Sequence, residues 1–158
     1  MAHKTFLFSI IFLFHLLSFS QTNEDSLRSL VLHKNIPDST FTYGKWNVKN
    51  GQQLTLNYLG EIKSETQVFK VMTSFLIWGA KRGTSRIIIF NQKNEYLGDY
   101  YVYFDDLPYK IIGHELYFFE HSKNCKKNTI SFNAGVPLGF LIKCGNKGDF
   151  YEFGAEPK

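Results

Sequence analysis

From about residue 40 to its end, the chain is a succession of short β-forming segments cut by turn chemistry. That pattern restricts the fold more than any other feature. "FTYGKWNV", "QQLTLNYLG", "QVFKVMTSFLIWG", "SRIIIFN", "EYLGDYYVYF", "YKIIG", "ELYFFEH", "NTISFN", "LGFLIKC" and "DFYEFG" are rich in β-branched and aromatic residues. Between them stand "KNGQ", "AKRGTS", "NQKNE", "DDLP", "GHE", "NAGVP" and "GNKGD", whose Gly, Asn, Asp and Pro residues suit tight turns. These connections are too short for crossover helices, so neighbouring strands must run antiparallel. The fold class is therefore all-β: an antiparallel meander forming a barrel or a sandwich, with a lipocalin-like closed meander as one version.

Side-chain alternation assigns faces. In "NTISFN", Ile130 and Phe132 point one way while Thr129, Ser131 and Asn133 point the other, the mark of a half-buried strand. "RIIIF" and "LYFF" are apolar on both faces and predict central or doubly covered strands.

The N-terminal part reads differently. "MAHKT" is a short basic start, and "FLFSIIFLFHLL" is an apolar run of about twelve residues. "SFS" then offers small residues ahead of Gln21. This is the pattern of a secretory signal peptide over residues 1–20, cleaved near Ser20-Gln21. The run is short for a membrane span, which takes ~20 residues, so a signal anchor is the weaker alternative. No cysteine stands just after the cut, and no later segment is apolar enough for a membrane helix. The expected mature chain, residues 21–158, is one domain, secreted or periplasmic. In "QTNEDSLRSLVLHKN", Asn23 serves as N-cap, Glu24 and Asp25 lie in the first turn, and Leu27, Leu30 and Val31 recur at helical spacing. A short helix over about 24–33 is predicted, covering one face of the β region.

Cys125 and Cys144 are the two cysteines. In an exported protein they are read first as one disulfide. A hairpin turning at Ala134-Gly135 would set them opposite each other. That register makes 125/144 a hydrogen-bonded pair, with Cα atoms ~5.5 Å apart and diverging side chains, so the bridge needs frayed ends or a bulge. An unstrained bridge closing a loop of ~20 residues contributes about 3 kcal/mol.

The densest cluster of ionisable residues is "GHELYFFEHSKNC", with His114, Glu115, Glu120 and His121. On a helix the two histidines would share a face. On a strand a separation of seven places them on opposite faces, and the intervening Leu116 to Phe119 are strand-forming. The H-E-x-x-H spacing of a zinc site is absent. Asp105 and Asp106, with Pro108 two positions on, fit a turn better than a calcium loop, which needs more oxygens in order. No spacing in the sequence calls for a metal or an organic cofactor, and no G-x-S-x-G elbow marks a nucleophile.

Two features suit binding. "WGAKRGTSR" gathers Lys81, Arg82 and Arg86 around a glycine turn beside Trp78, a basic loop able to hold a carboxylate or phosphate. Tyr100, Tyr101 and Tyr103, with Tyr96, Tyr109, Tyr117, Phe118, Phe119 and Tyr151, make the C-terminal half aromatic on more than one face. A row of tyrosines left outside would suit a glycan or a protein partner. Net charge is only +4, with acidic residues interleaved among the basic ones, so the dense basic stripe of a nucleic-acid binder is missing. The leading expectation is an exported, non-catalytic binding or interaction domain. The alternative is a small secreted hydrolase-like enzyme, its site assembled from His33, His114 or His121 with distant acids.

Overall fold

A computed structural model describes residues 24–120 and 128–155. The expected signal peptide, His121 and Cys125 lie outside the described residues. The chain divides after Lys34 into two units. The described part of the first is a helix, α1, over residues 24–34. Its Arg28 pairs with Glu24 and Asp25 one turn back. Its buried apolar positions are Val31 and Leu32, whereas Leu30 is exposed. The buried stripe therefore runs through 28, 31 and 32 rather than through 27, 30 and 31.

Among the described residues the second unit holds ten strands, one for each segment read from the sequence. They are β1 (Ser39–Asn47), β2 (Gly51–Lys63), β3 (Val68–Trp78), β4 (Arg82–Asn91), β5 (Tyr96–Val102), β6 (Pro108–Ile112), β7 (Glu115–Phe118), β8 (Thr129–Ser131), β9 (Gly139–Cys144) and β10 (Lys147–Ala155). A 3₁₀ turn, Phe104–Asp106, comes after β5. All strand pairs are antiparallel, in a seven-stranded sheet ordered β1-β2-β3-β4-β5-β10-β9 and a three-stranded sheet β6-β7-β8.

The first five strands form the expected meander. Polar side chains fix its turns: Asn47 Oδ1 accepts the N–H groups of Lys49, Asn50 and Gly51, and Asn91 Oδ1 accepts those of Lys93 and Glu95. The meander then stops. The chain builds the small sheet and returns to lay β10 along β5, so the large sheet keeps β1 and β9 as edges and does not close into a barrel.

Both sheets supply one core. Phe69, Val71, Ile87, Ile89 and Tyr100 come from the large sheet, Leu116, Phe118 and Ile130 from the small one, and Phe132 from just beyond it. On the opposite face of the large sheet Leu56, Tyr58, Met72, Ile88 and Phe90 are buried too. β4 is thus covered on both faces, as "RIIIF" predicted. "LYFF" is central in its sheet but only half covered, since Phe119 is exposed.

One expectation is overturned. Ala134-Gly135 does not close a hairpin between β8 and β9. β8 pairs with β7, and β9 pairs with β10 around Gly145-Asn146. Gly145, at φ +61°, takes the first central position of that two-residue turn, which the primed hairpin turns favour. Residues 132–138 instead carry the chain from the small sheet to the large one. What links the flanks of β8 and β9 is the Asn128 side chain, which accepts from Lys143 N–H (3.2 Å) and donates to Lys143 C=O (3.4 Å).

Candidate functional site

The site arises from a short pairing. β10 meets β5 over only three residues, Tyr100↔Phe153, Asp99↔Gly154 and Gly98↔Ala155. Gly98 makes this approach feasible: at φ +148°, a Cβ there would stand 2.4 Å from the Gly154 carbonyl oxygen. Beyond Tyr100 the strands part. β5 continues along β4 as far as Val102↔Ser85, while Lys147–Glu152 of β10 pair with β9 alone. Arg82 to Thr84 of β4 pair with β3 on one side and with no strand on the other, among the described residues.

The wedge left between β4 and β10 is a cleft of about 620 Å³. Phe75, Tyr101, Tyr103, Phe104, Phe150 and Tyr151 line it, with Lys81 and Asp149 as charged groups and Ser85 and Thr84 as hydroxyls. Phe104 lies against Phe75, ring centres 4.4 Å apart, yet is 57% exposed. Tyr103 is 65% exposed and meets Tyr151 edge to face at 6.2 Å.

One buried polar pair holds the turn beneath these rings. The Tyr151 hydroxyl donates to Asp106 Oδ2 and accepts weakly from the Tyr103 N–H at 3.5 Å. Both Tyr151 and Asp106 are buried. Burial, and then the bond to Asp106, push the Tyr151 phenol well above its ordinary range, so it stays a neutral donor. The 3₁₀ turn is thereby tied across the cleft to β10.

The seven residues nominated from sequence are dispersed by the fold. Lys81, held at φ +59°, Tyr101 and Tyr103 line the cleft. Trp78 and Arg82 are cross-strand partners at the end of the β3–β4 hairpin. There Trp46 Nε1 donates to the Gly79 carbonyl at 3.0 Å. Arg86 is on the other face of the sheet, 3.2 Å from Asp99 and with its guanidinium 5.4 Å from the Tyr101 ring centre. Asp99 also accepts from the Tyr96 hydroxyl at 3.0 Å. Tyr100 is fully buried against Phe140 and Phe153, with its hydroxyl donating to the Pro137 carbonyl. The basic loop is therefore not one site: Lys81 lines the cleft from the turn before β4, whereas alternation along β4 turns Arg86 to the face opposite its cleft-lining neighbour Ser85.

Sequence reasoning passed over Phe75 and Phe104, which are 29 positions apart and meet only in the folded chain. It read Asp106 as turn chemistry, and Asp106 does sit in a turn, but as a buried acceptor. His114 is exposed in the β6–β7 turn, and Glu115 accepts from the Tyr117 hydroxyl at 2.9 Å. His33 is exposed on α1, with Nδ1 2.7 Å from the Ser29 carbonyl oxygen. Among the described residues no cluster of three or more His, Cys, Asp or Glu is placed to hold a metal ion. Nor is any helix among them long and apolar enough to cross a membrane. No family model, curated protein or solved structure matches this chain.

Proposed function

We propose that this chain is an exported, non-catalytic binding domain whose ligand or partner seats in the cleft between β4 and β10. Residues 1–20 act as its secretory signal, cut near Ser20-Gln21. Cys125 and Cys144 form its disulfide, and its two sheets act as the layers of an open sandwich. The observation that carries the binding reading is the parting of β5 from β10, which leaves six aromatic residues around a cavity within the ~300–1,000 Å³ range of ligand sites. Rings such as Tyr103 and Phe104 offer broad contact area with little side-chain entropy to lose, and Lys81 and Asp149 supply orienting charges.

A glycan array and a protein pull-down with the mature chain test this reading. The expected result is a retained glycan or protein ligand that Tyr103→Ala and Lys81→Ala each weaken about tenfold or more, with the thermal midpoint unchanged. Equal capture by both variants would remove the cleft from the function. Turnover of an ester, phosphoester or glycoside substrate that is lost in His33→Ala, His114→Ala or His121→Ala would replace binding by the hydrolase reading.

A further inference from the structure

Phe104 also lines a second pocket, of about 560 Å³. Its floor is polar and its walls are aromatic. Asn57 of β2 and Thr73 of β3 are direct cross-strand partners there, on the face of the large sheet that carries the core. Tyr109 and Phe119 stack at 4.3 Å with an interplanar angle of 27°, forming one wall. Phe104 forms another and the exposed carboxylate of Asp105 stands at the rim.

The fold does not account for Asn57. Its Oδ1 is buried without a hydrogen-bond partner, on a strand whose other inward positions near the core are Leu59 and Ile62. An orphaned acceptor costs free energy that an apolar residue would not. The last torsion of an asparagine is broad, so the amide turns readily once a donor enters the pocket. A fitting ligand must donate to Asn57 and to Asp105, exchange hydrogen bonds with the Thr73 hydroxyl, and present an apolar face to Tyr109 and Phe119. Among the described residues Asp105 is the one charged residue that lines the pocket, and the Lys110 ammonium stands 5.1 Å from the ring centre of Tyr109, so the two opposite charges favour neither an anion nor a cation and an uncharged ligand fits.

We propose that this pocket is a subsite for a neutral sugar ring, with Asn57 and Thr73 reading its hydroxyls and the Tyr109–Phe119 wall packing on its C–H face. Each hydroxyl both donates and accepts, which is what the mixed floor requires, and a pyranose carries polar edges around an apolar face. Phe104 is shared with the first cleft, so a linear glycan could run across it from one cavity to the other. The subsite does not require the first cleft to be occupied.

The test is NMR titration of the labelled mature chain with cellotriose, maltotriose, chitotriose and mannotriose, each at about 10 mM, alongside an uncharged tripeptide amide. At least one trisaccharide is expected to shift the Asn57 side-chain amide and the Tyr109 ring resonances. Asn57→Leu should weaken that binding about tenfold or more while keeping or raising the thermal midpoint, a combination that a purely structural asparagine would not give. Thr73→Val should weaken binding as well. If Asn57→Leu fails to fold, Tyr109→Ala serves instead, with the same loss expected. No shift with any of the four sugars, a shift with the tripeptide alone, or unchanged sugar binding in Asn57→Leu would overturn the proposal. Loss of sugar binding in Asn57→Leu but not in Tyr103→Ala would separate this subsite from the first cleft.

Discussion

Substituting Tyr151 by Phe removes one oxygen and leaves the ring, so it isolates the bond that ties the 3₁₀ turn to β10. The ring contacts, with Phe140 at 5.3 Å and Tyr103 at 6.2 Å, survive the change. What is lost is a buried hydrogen bond to the Asp106 carboxylate, of a kind worth about 1.5–3 kcal/mol. The Tyr103 N–H loses an acceptor at 3.5 Å, near the limit of a hydrogen bond, and adds little. A total near ~2 kcal/mol is expected. With a urea slope of about 1–3 kcal/mol/M, the unfolding midpoint should fall by roughly 1 M at unchanged slope. The coupling in a double-mutant cycle with Asp106→Ala should recover about 1–2 kcal/mol, because each single change removes the same bond. The gap between wild type and variant should also depend on pH. The phenol holds its proton more tightly in the folded state, so its contribution is complete below the ordinary tyrosine value of about 10 and fades above it. A midpoint shift under about 0.2 M, or a coupling energy near zero, would refute the assignment of Tyr151–Asp106 as the tie across the cleft.

Tyr58 behaves similarly on the opposite face of the sheet, where its hydroxyl donates to Asn35 Oδ1 at 3.0 Å and burial pushes the phenol up to about 12. That rise is worth on the order of 2 kcal/mol, present below pH ~10 and lost as pH climbs from there to about 12. Denaturant unfolding across that window should show a shallower decline in Tyr58→Phe than in wild type, and parallel declines would contradict it. Gly98→Ala should cost about 3 kcal/mol or more, since its Cβ would meet the β10 backbone at a φ disfavoured for alanine. A thermal midpoint within about 2 °C of wild type would show that β5 and β10 are not so closely apposed. Mass spectrometry of the exported chain should give an N-terminus at Gln21 and a mass two hydrogens below that of the reduced chain, whereas two free thiols after oxidative folding would exclude the Cys125–Cys144 bridge.

Local chemistry made the strands legible. Ile87, Ile88 and Ile89 are hydrophobic on successive positions, and a strand with that pattern must be covered twice, as β4 is. Asn47 and Asn91 sit where turns need side-chain acceptors, and the turns are there. Partner choice was less legible, because pairing depends on residues distant in the chain. Ala134-Gly135 and Gly145-Asn146 are both adequate two-residue turns on paper. The second closes a hairpin because β9 and β10 match over six residue pairs, Lys147↔Cys144 to Glu152↔Gly139. The stretch after Phe132 has Pro137 and must also carry the chain between sheets. The same limit hid the site: Phe75 and Phe104 belong to segments with no shared local pattern, and Tyr100 differs from its neighbours Tyr101 and Tyr103 only in the face or end to which the bulged strand delivers it.

The cleft and the core share Tyr151, and the core aromatics around it explain why the strands part where they do. β5 and β10 approach closely only where Gly98 and Gly154 leave room for backbone against backbone. One step further, Tyr100 packs between Phe140 and Phe153, and Tyr151 fills the space beside Phe140. Those rings belong to the shared core of the two sheets, so β10 must stay with β9 and the core rather than with β5. A cavity opened by packing this tight is held in shape by it. Its rigid side is Tyr151 and Asp106, and its adjustable side is the exposed pair Tyr103 and Phe104. Ligand-induced change should therefore be confined to Tyr103 and Phe104. Amide hydrogen exchange at Tyr151 and Phe153 should stay slow with or without ligand, because those amides belong to strands anchored in the core.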